Sequence, residues 1–120
     1  MSKLYIIPSP IGNLKDITLR AISILKEIDV LLVEDTRITK KLLKEYNINT
    51  KIYSYHSYNE HSILEKVIQK IKSGLVVGLV SDAGMPGISD PGFLLVREAI
   101  KKNINIECLP GPSAFLPALI

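Results

Sequence analysis

Two segments of this chain concentrate the residue types that could do chemistry. "EDTR", Glu34 to Arg37, sets two carboxylates and a guanidinium directly behind the apolar run "DVLLV". At the end of a buried strand such an acid could accept a proton or orient a hydroxyl. The same residues could serve structure alone, with Asp35 or Thr36 capping the next helix and Glu34 pairing with Arg37. "SDAGMPGISDPG", Ser81 to Gly92, is the second segment. Gly84, Gly87 and Gly92 let a backbone turn through positive φ and approach a ligand without a Cβ in the way, while Pro86 and Pro91 restrict the empty loop. The spacing is neither G-x-G-x-x-G nor a Walker A motif, because no lysine follows the glycines at the required place. The alternative is a loop that only turns the chain, with Asp90 capping the following helix.

Other residues carry weaker signals. Arg37, Lys40, Lys41 and Lys44 fall at i, i+3, i+4 and i+7, a basic stripe along one helical face that a phosphate backbone would attract, although lysine-rich faces are often simply solvated. His56 and His61 flank "SYNE", but they are not at i, i+4 spacing, no third ligand is evident, and Glu60 has capping-box spacing behind Ser57, so no metal site is expected. Ser113 in "LPGPSA" could donate to a ligand or cap the final element. Cys108 lies in an apolar run and is expected to be inert core.

The elements that must position these residues alternate. "KLYIIP" reads as a buried strand stopped by Pro8, and "DITLRAISILKEI" as a helix with Ile17, Ala21, Ile24, Leu25 and Ile28 on one face and Asp16 as its cap. "DVLLVED" and "TRITKKLLKEY" repeat strand and helix. "KIYSY" is a more polar strand suited to a sheet edge, and the helix after it buries Ile63, Leu64, Val67, Ile68 and Ile71. "GLVVGLV" is the strongest strand. Asp90-Pro91 then reads as a cap with proline at the first helical position, opening a helix toward Asn103, and "INIECL" is the last strand. This order predicts an α/β domain with a mostly parallel sheet and helices on both faces. Ligands gather beyond the carboxyl ends of such strands, where "PSPIGN", "EDTR", the glycine loop and "PGPSA" all fall.

Bulk properties set outer limits. A chain of 120 residues, 47% hydrophobic, supports one folded domain with its own core. Its 15 basic and 12 acidic residues leave a formal charge of +3, which permits an anionic partner without demanding one. One cysteine allows no intrachain disulfide, the first hydrophobic run is too short for a signal-peptide core, and no run approaches bilayer length, so a cytoplasmic protein is expected with no membrane partner.

"PSPIGNLKDITLRA", "EDTR", "SYNEH", "LVSDAGMPGISDPG" and "LPGPSA", in this order, resemble the tetrapyrrole methylase superfamily. Within it they look most like the branch that methylates a cytidine ribose 2'-hydroxyl in small-subunit ribosomal RNA. The resemblance covers essentially the whole chain. It implies two α/β domains with S-adenosylmethionine folded between them, residues 1–120 corresponding to the amino-terminal one and the carboxyl-terminal one lying outside this chain. It also implies cofactor contacts from Ile11, Asp82, Gly84, Ile88, Ser113 and Ala114, several through backbone atoms. Glu34 matches an acidic position near substrate, Arg37 the basic part of the RNA-type signature, and Asn59 with Glu60 the end of a "HEHNE" pattern that reads "YHSYNEH" here. Met85 stands where threonine is more usual. The implied reaction is in-line attack of a ribose 2'-oxygen on the sulfonium methyl, with Glu34, Arg37 and Glu60 as candidate catalytic residues and no metal or nicotinamide. Two other readings are a methyltransferase for a small, tetrapyrrole-type molecule, and a non-catalytic RNA-binding or dimerising module. A surface left uncovered by the second domain makes a homodimer an expectation too.

Overall fold

The computed structural model describes residues 2–56, 59–86, 92–112 and 119. Its sheet holds β1 (Lys3–Ile6), β2 (Val30–Val33), β3 (Lys51–Ser54), β4 (Val76–Leu79) and β5 (Asn105–Cys108), in the order β3-β2-β4-β1-β5. Every pairing is parallel. Parallel neighbours cannot be joined by a tight turn, so each connection carries a helix. These are α1 (Leu19–Glu27), α2 (Thr36–Glu45), α3 (Glu60–Lys72) and α4 (Phe93–Lys101).

The two-residue period of the strands divides the core. Leu4, Ile6, Leu32, Val77 and Leu79 meet Val67, Ile68 and Ile71 of α3 and Leu95 and Ala99 of α4 on one face. Leu31, Val33, Ile7 and Val80 meet Ala21 and Leu25 of α1 and Leu42 and Leu43 of α2 on the other. With both faces covered, β2 and β4 must be apolar at nearly every position, which is why their sequences run without polar alternation. The expected α/β sandwich is thus the observed one. The edges are more polar: β3 exposes Lys51 and Tyr53, and β5 exposes Asn105 and Cys108. Cys108 is therefore not inert core. Its strand ends the sheet, and its Sγ meets the Met85 Sδ at 3.6 Å.

Helix starts differ from the sequence expectation in three places. Thr18, not Asp16, caps α1, its Oγ1 accepting from the Ala21 N–H at 3.0 Å, while Asp16 ends a short 3-10 turn opened by Asn13. Helix α3 begins at Glu60 behind Asn59, so Glu60 cannot close a capping box three residues into the helix; Ser57 lies outside the described residues. Helix α4 begins at Phe93 behind Gly92, later than an Asp90-Pro91 start would place it, and those two residues also lie outside the described ones.

The strand order decides where a ligand could sit. The connection from β1 through α1 passes β4 to reach β2, whereas that from β4 through α4 passes β1 to reach β5. The two helices lie on opposite faces. Loops leaving the carboxyl ends of neighbouring β1 and β4 therefore part toward opposite sides, and a crevice opens between them.

The centre of the sheet is tight on the α1 face. A Cβ on Gly78 would stand 2.7 Å from the Ile28 Cδ1 and 2.9 Å from the Ile7 Cδ1. Those methyl ends can shift a little, so Gly78→Ala is expected to cost less than Gly78→Val, which should lose about 1–3 kcal/mol through overpacking. Urea unfolding of the two variants measures this, and equal stability of Gly78→Val and the parent would show that the face has room.

Candidate functional site

The loop after β4 is held from both sides. Toward β1, the Ser9 N–H donates to the Gly84 carbonyl at 2.9 Å and the Gly84 N–H donates back to the Ser9 carbonyl at 3.0 Å. The Ser9 hydroxyl adds a bond to the Ser81 carbonyl at 3.0 Å, and Ser9 is buried. Gly84 holds φ at +81°, and a Cβ there would come within 3.2 Å of the Ile11 Cδ1 and 3.8 Å of the Pro112 carbonyl oxygen. The space a side chain would need is already enclosed by the first and last loops. Only glycine suits this point, both for its dihedral and for its surroundings.

Toward β2, the ties are carboxylates on backbone N–H groups. Glu34 Oε1 accepts from the Asp82 N–H at 3.2 Å, and Asp82 Oδ1 accepts from the Asp35 N–H at 3.0 Å. Asp35 then caps α2 through the Arg37 N–H at 2.9 Å and forms an ion pair with the Arg37 guanidinium at 3.1 Å. The Arg37 side chain, first through its hydrogen bonds, holds the Asp35 carboxyl below its usual range. Of the structural roles allowed for "EDTR", the cap falls to Asp35 as expected, but the expected Glu34–Arg37 pair is not formed: Arg37 pairs with Asp35, two residues away at the helix start, while Glu34 reaches across to the β4 loop.

The last loop closes the other flank. The Leu109 N–H donates to the Ile6 carbonyl at 3.0 Å, and a Cβ on Gly111 would run into the Pro8 ring. The first loop is pinned from below by the Tyr46 hydroxyl, which donates to the Leu14 carbonyl at 2.6 Å. Between the first loop and the start of α2 lies a cleft of about 220 Å³, with Ser9, Asn13, Thr39 and Asp82 supplying polar lining beside Ile38 and Leu42.

Of the residues singled out in the sequence, Ile11, Gly84, Asp82 and Glu34 meet here, with Arg37 joined through Asp35. Ile88, Ser113 and Ala114 lie outside the described residues. Glu60 occupies a different environment. It is 1% exposed, and its Oε2 accepts from the Gly92 N–H at 3.1 Å, tying the start of α3 to the residue that opens α4. The Tyr55 hydroxyl is buried nearby with no hydrogen bond of normal length. Burial first, and then the Glu60 carboxylate, raise its pKa far above that of an ordinary phenol. Asn59 braces the same turn, accepting from the His56 N–H at 2.8 Å and donating to the Ser54 carbonyl at 3.0 Å. Among the described residues no cluster of histidine, cysteine and acidic side chains could hold a metal. The sequence reading missed Ser9 and Gly111; a serine enclosed by prolines in "PSP" and a glycine enclosed by prolines in "PGP" were the available signals.

An all-parallel sheet whose glycine-bearing loops converge on a switch point between β1 and β4 defines a doubly wound α/β domain with a ligand edge. The family model described as Tetrapyrrole (Corrin/Porphyrin) Methylases matches residues 3–119, and the chain belongs to that family. It is 55% identical over its full length to "Ribosomal RNA small subunit methyltransferase I" of Mycoplasmopsis pulmonis and covers 54% of that relative. It is 49% identical to the protein of the same name from Vibrio cholerae, over 97% of this chain and 40% of the relative. The chain thus spans about half or less of the length of these curated relatives. Among solved structures, uroporphyrin-III-C-methyltransferase from Thermus thermophilus aligns with a TM-score of 0.75 at 20% identity, over 99% of this chain and 50% of that one. A cobalamin biosynthetic enzyme, cobalt precorrin-4 methyltransferase, aligns equally well, with a TM-score of 0.75 at 20% identity over 98% of this chain and 48% of that one. At that identity the likeness concerns the fold. No helix among the described residues is long and apolar enough to cross a membrane.

The bond from Gly92 to Glu60 yields a stability test. Removing a buried charged acceptor strands the N–H, so Glu60→Ala should cost about 2–3 kcal/mol, with Glu60→Gln closer to the parent because its amide oxygen still accepts. Tyr55→Phe should change stability little, since the hydroxyl makes no hydrogen bond of normal length and feels the Glu60 carboxylate only from farther off. Denaturant titration of the three variants decides it; a large loss in Tyr55→Phe would show that the hydroxyl is engaged.

Proposed function

We propose that this chain is the amino-terminal domain of a two-domain, S-adenosylmethionine-dependent methyltransferase that acts in the cytoplasm on a cytidine ribose 2'-hydroxyl of small-subunit ribosomal RNA. The observation that carries the reading is identity of 49–55% across nearly the whole chain with relatives named for ribosomal RNA methylation. The tetrapyrrole enzymes share the fold at 20% identity, so a small-molecule substrate draws no comparable support.

The residues present suit the proposed donor. The Ser9–Gly84 backbone pair makes a rigid floor, and the absent Cβ of Gly84 leaves peptide surface that a flat or extended ligand can approach closely. Ile11 would cover an apolar part of the ligand, and Asp82 would orient its polar groups, with Ile88, Ser113 and Ala114 completing the contacts. S-adenosylmethionine supplies an electrophilic methyl on a sulfonium. What the chain's own residues contribute is placement: holding the acceptor oxygen in line and excluding water. Glu34, a half-buried carboxylate that also holds the Asp82 N–H of the β4 loop, is the candidate to take or orient the hydroxyl proton. Arg37, held by Asp35, would meet phosphate. Glu60, inside the domain on the Gly92 N–H, is a positioning residue that sets where the glycine loop rejoins α4.

The direct test is transfer of a labelled methyl group to small-subunit ribosomal RNA by a two-domain protein carrying this chain. Labelled RNA with methyl on a cytidine ribose supports the proposal; binding of donor and RNA without transfer points to a non-catalytic module. Within the site, Gly84→Ala should weaken donor binding about tenfold or more, beyond the backbone strain of about 1–3 kcal/mol that any side chain meets at such a φ. Gly74→Ala is the control, because Gly74 also has positive φ, at +109°, but nothing stands within 4 Å of its added Cβ. Matching donor titrations for the two variants would reduce Gly84 to a turn residue. Reversing Lys40, Lys41 and Lys44 to glutamate should weaken RNA binding and flatten its salt dependence while donor binding stays near the parent value.

A further inference from the structure

The edge strand β3 sends successive side chains to opposite faces of the sheet, and each enters a cleft rimmed by lysines. Ile52 lines a cleft of about 430 Å³ with Lys40 and Lys44 of α2. Tyr53 lines one of about 230 Å³ with Lys66 and Lys70 of α3, over an apolar floor that includes Leu32 and Val77. The Lys51 and Lys70 Nζ atoms stand 5.3 Å and 5.2 Å from the centre of the Tyr53 ring, which remains 37% exposed. Lysines that are distant in the sequence thus surround one strand.

Among the described residues the charges of Lys51 and Lys70 meet the Tyr53 ring, and none of these lysines meets a carboxylate. Among the described residues the cations in ion pairs are Lys3, Arg20 and Arg37, so Lys40, Lys44, Lys51, Lys66 and Lys70 have no carboxylate partner. Glu65, the acid nearest in sequence on α3, is engaged by the Gln69 side chain at 3.0 Å. Gathering like charges on one edge is unfavourable for the isolated domain and becomes favourable against a polyanion.

We infer that the RNA-binding surface continues from α2 around the β3 edge to α3, with the flexible Lys51 and Lys70 side chains turning from the Tyr53 ring to phosphates beside Lys66 and leaving the ring to a base. This rests on the reading of the protein as an RNA methyltransferase and extends its footprint to a face the sequence did not connect with α2. A groove of cations without carboxylate partners around a partly exposed aromatic ring is the pattern by which proteins hold single-stranded nucleic acid, cations following the backbone and the ring stacking on bases. A membrane surface would call for apolar side chains projecting beyond the lysines, whereas here the apolar lining is the floor of the cleft.

Fluorescence anisotropy with a short single-stranded RNA, repeated over a salt series, tests the inference in the two-domain protein carrying this chain. Lys66→Glu with Lys70→Glu should weaken binding about tenfold and lower the slope of log affinity against log salt by roughly 1–1.5. Lys66→Gln with Lys70→Gln should shift both in the same direction by less. Tyr53→Ala should weaken binding about tenfold with little change of slope, because stacking releases no counterions. Thermal melts matching the parent confirm that each variant is folded. If the α3 variants bind RNA like the parent while glutamates at Lys40, Lys41 and Lys44 abolish binding, the footprint ends at α2 and the inference falls with the RNA reading intact. No RNA binding by the two-domain parent overturns both. Loss of binding to vesicles of anionic phospholipid, with RNA binding unchanged, would assign the edge to a membrane instead and equally overturn the inference.

Discussion

Two backbone hydrogen bonds between Ser9 and Gly84 are the constraint on which the ligand edge depends. They form an isolated antiparallel bridge beyond the parallel ladder of β1 with β4, at the point where the connections part toward opposite faces. Left to water and loop entropy, the segment after β4 would have many conformations; paired to a buried serine between two prolines, it has a fixed floor. Each such bond contributes only about 1 kcal/mol net, yet leaving a buried N–H without a partner costs as much or more, so the arrangement is defended from both directions. The close approach of Ile11 and Pro112 to the Gly84 α-carbon follows from the same pairing.

Acidic residues at this edge do structural service before any chemistry. Glu34 and Asp82 each hold a backbone N–H of the other's strand loop, and Asp35 divides its carboxylate between a helix N-terminus and Arg37. Charged acceptors strengthen such bonds, and the positive end of α2 favours the carboxylate that caps it. The consequence is coupling: a change at Glu34 would alter the β4 loop as well as any proton transfer, so its loss of activity alone could not assign it a chemical role. Glu60 has a similar position on the opposite side, where one buried carboxylate joins α3 to α4 at the end of the glycine loop.

Between the scaffold and its surface the division is clear. The fold is shared with tetrapyrrole methyltransferases at 20% identity, as expected of an architecture dictated by parallel pairing and burial on both faces. The lysines of α2, β3 and α3 are exposed or half-buried and pack nothing in the core. Charge at such positions can vary with the partner while the core stays the same.

How much was legible follows from where each signal lies. Alternating apolar runs and amphipathic stretches were enough for an α/β domain with a parallel sheet, and parallel strands by themselves put "PSPIGN", "EDTR", the glycine loop and "PGPSA" on one edge. Those are local patterns, or consequences of chain direction, and need no knowledge of neighbours. Helix starts were less readable because adjacent cap-forming residues compete: Asp16 and Thr18 are both good caps, and the choice fell to Thr18, from which Ala21 and Leu25 can be buried. The exposure of Cys108 and the meeting of α2 and α3 lysines at β3 were decided by strand order, and the burial of Glu60 by the packing of the α3 start against the start of α4. Partners such as Glu34 with Asp82, or Glu60 with Gly92, are 48 and 32 residues apart in the chain. No spacing rule reaches that far, since only the packed sheet determines which loop ends share an edge and which strands lack a neighbour.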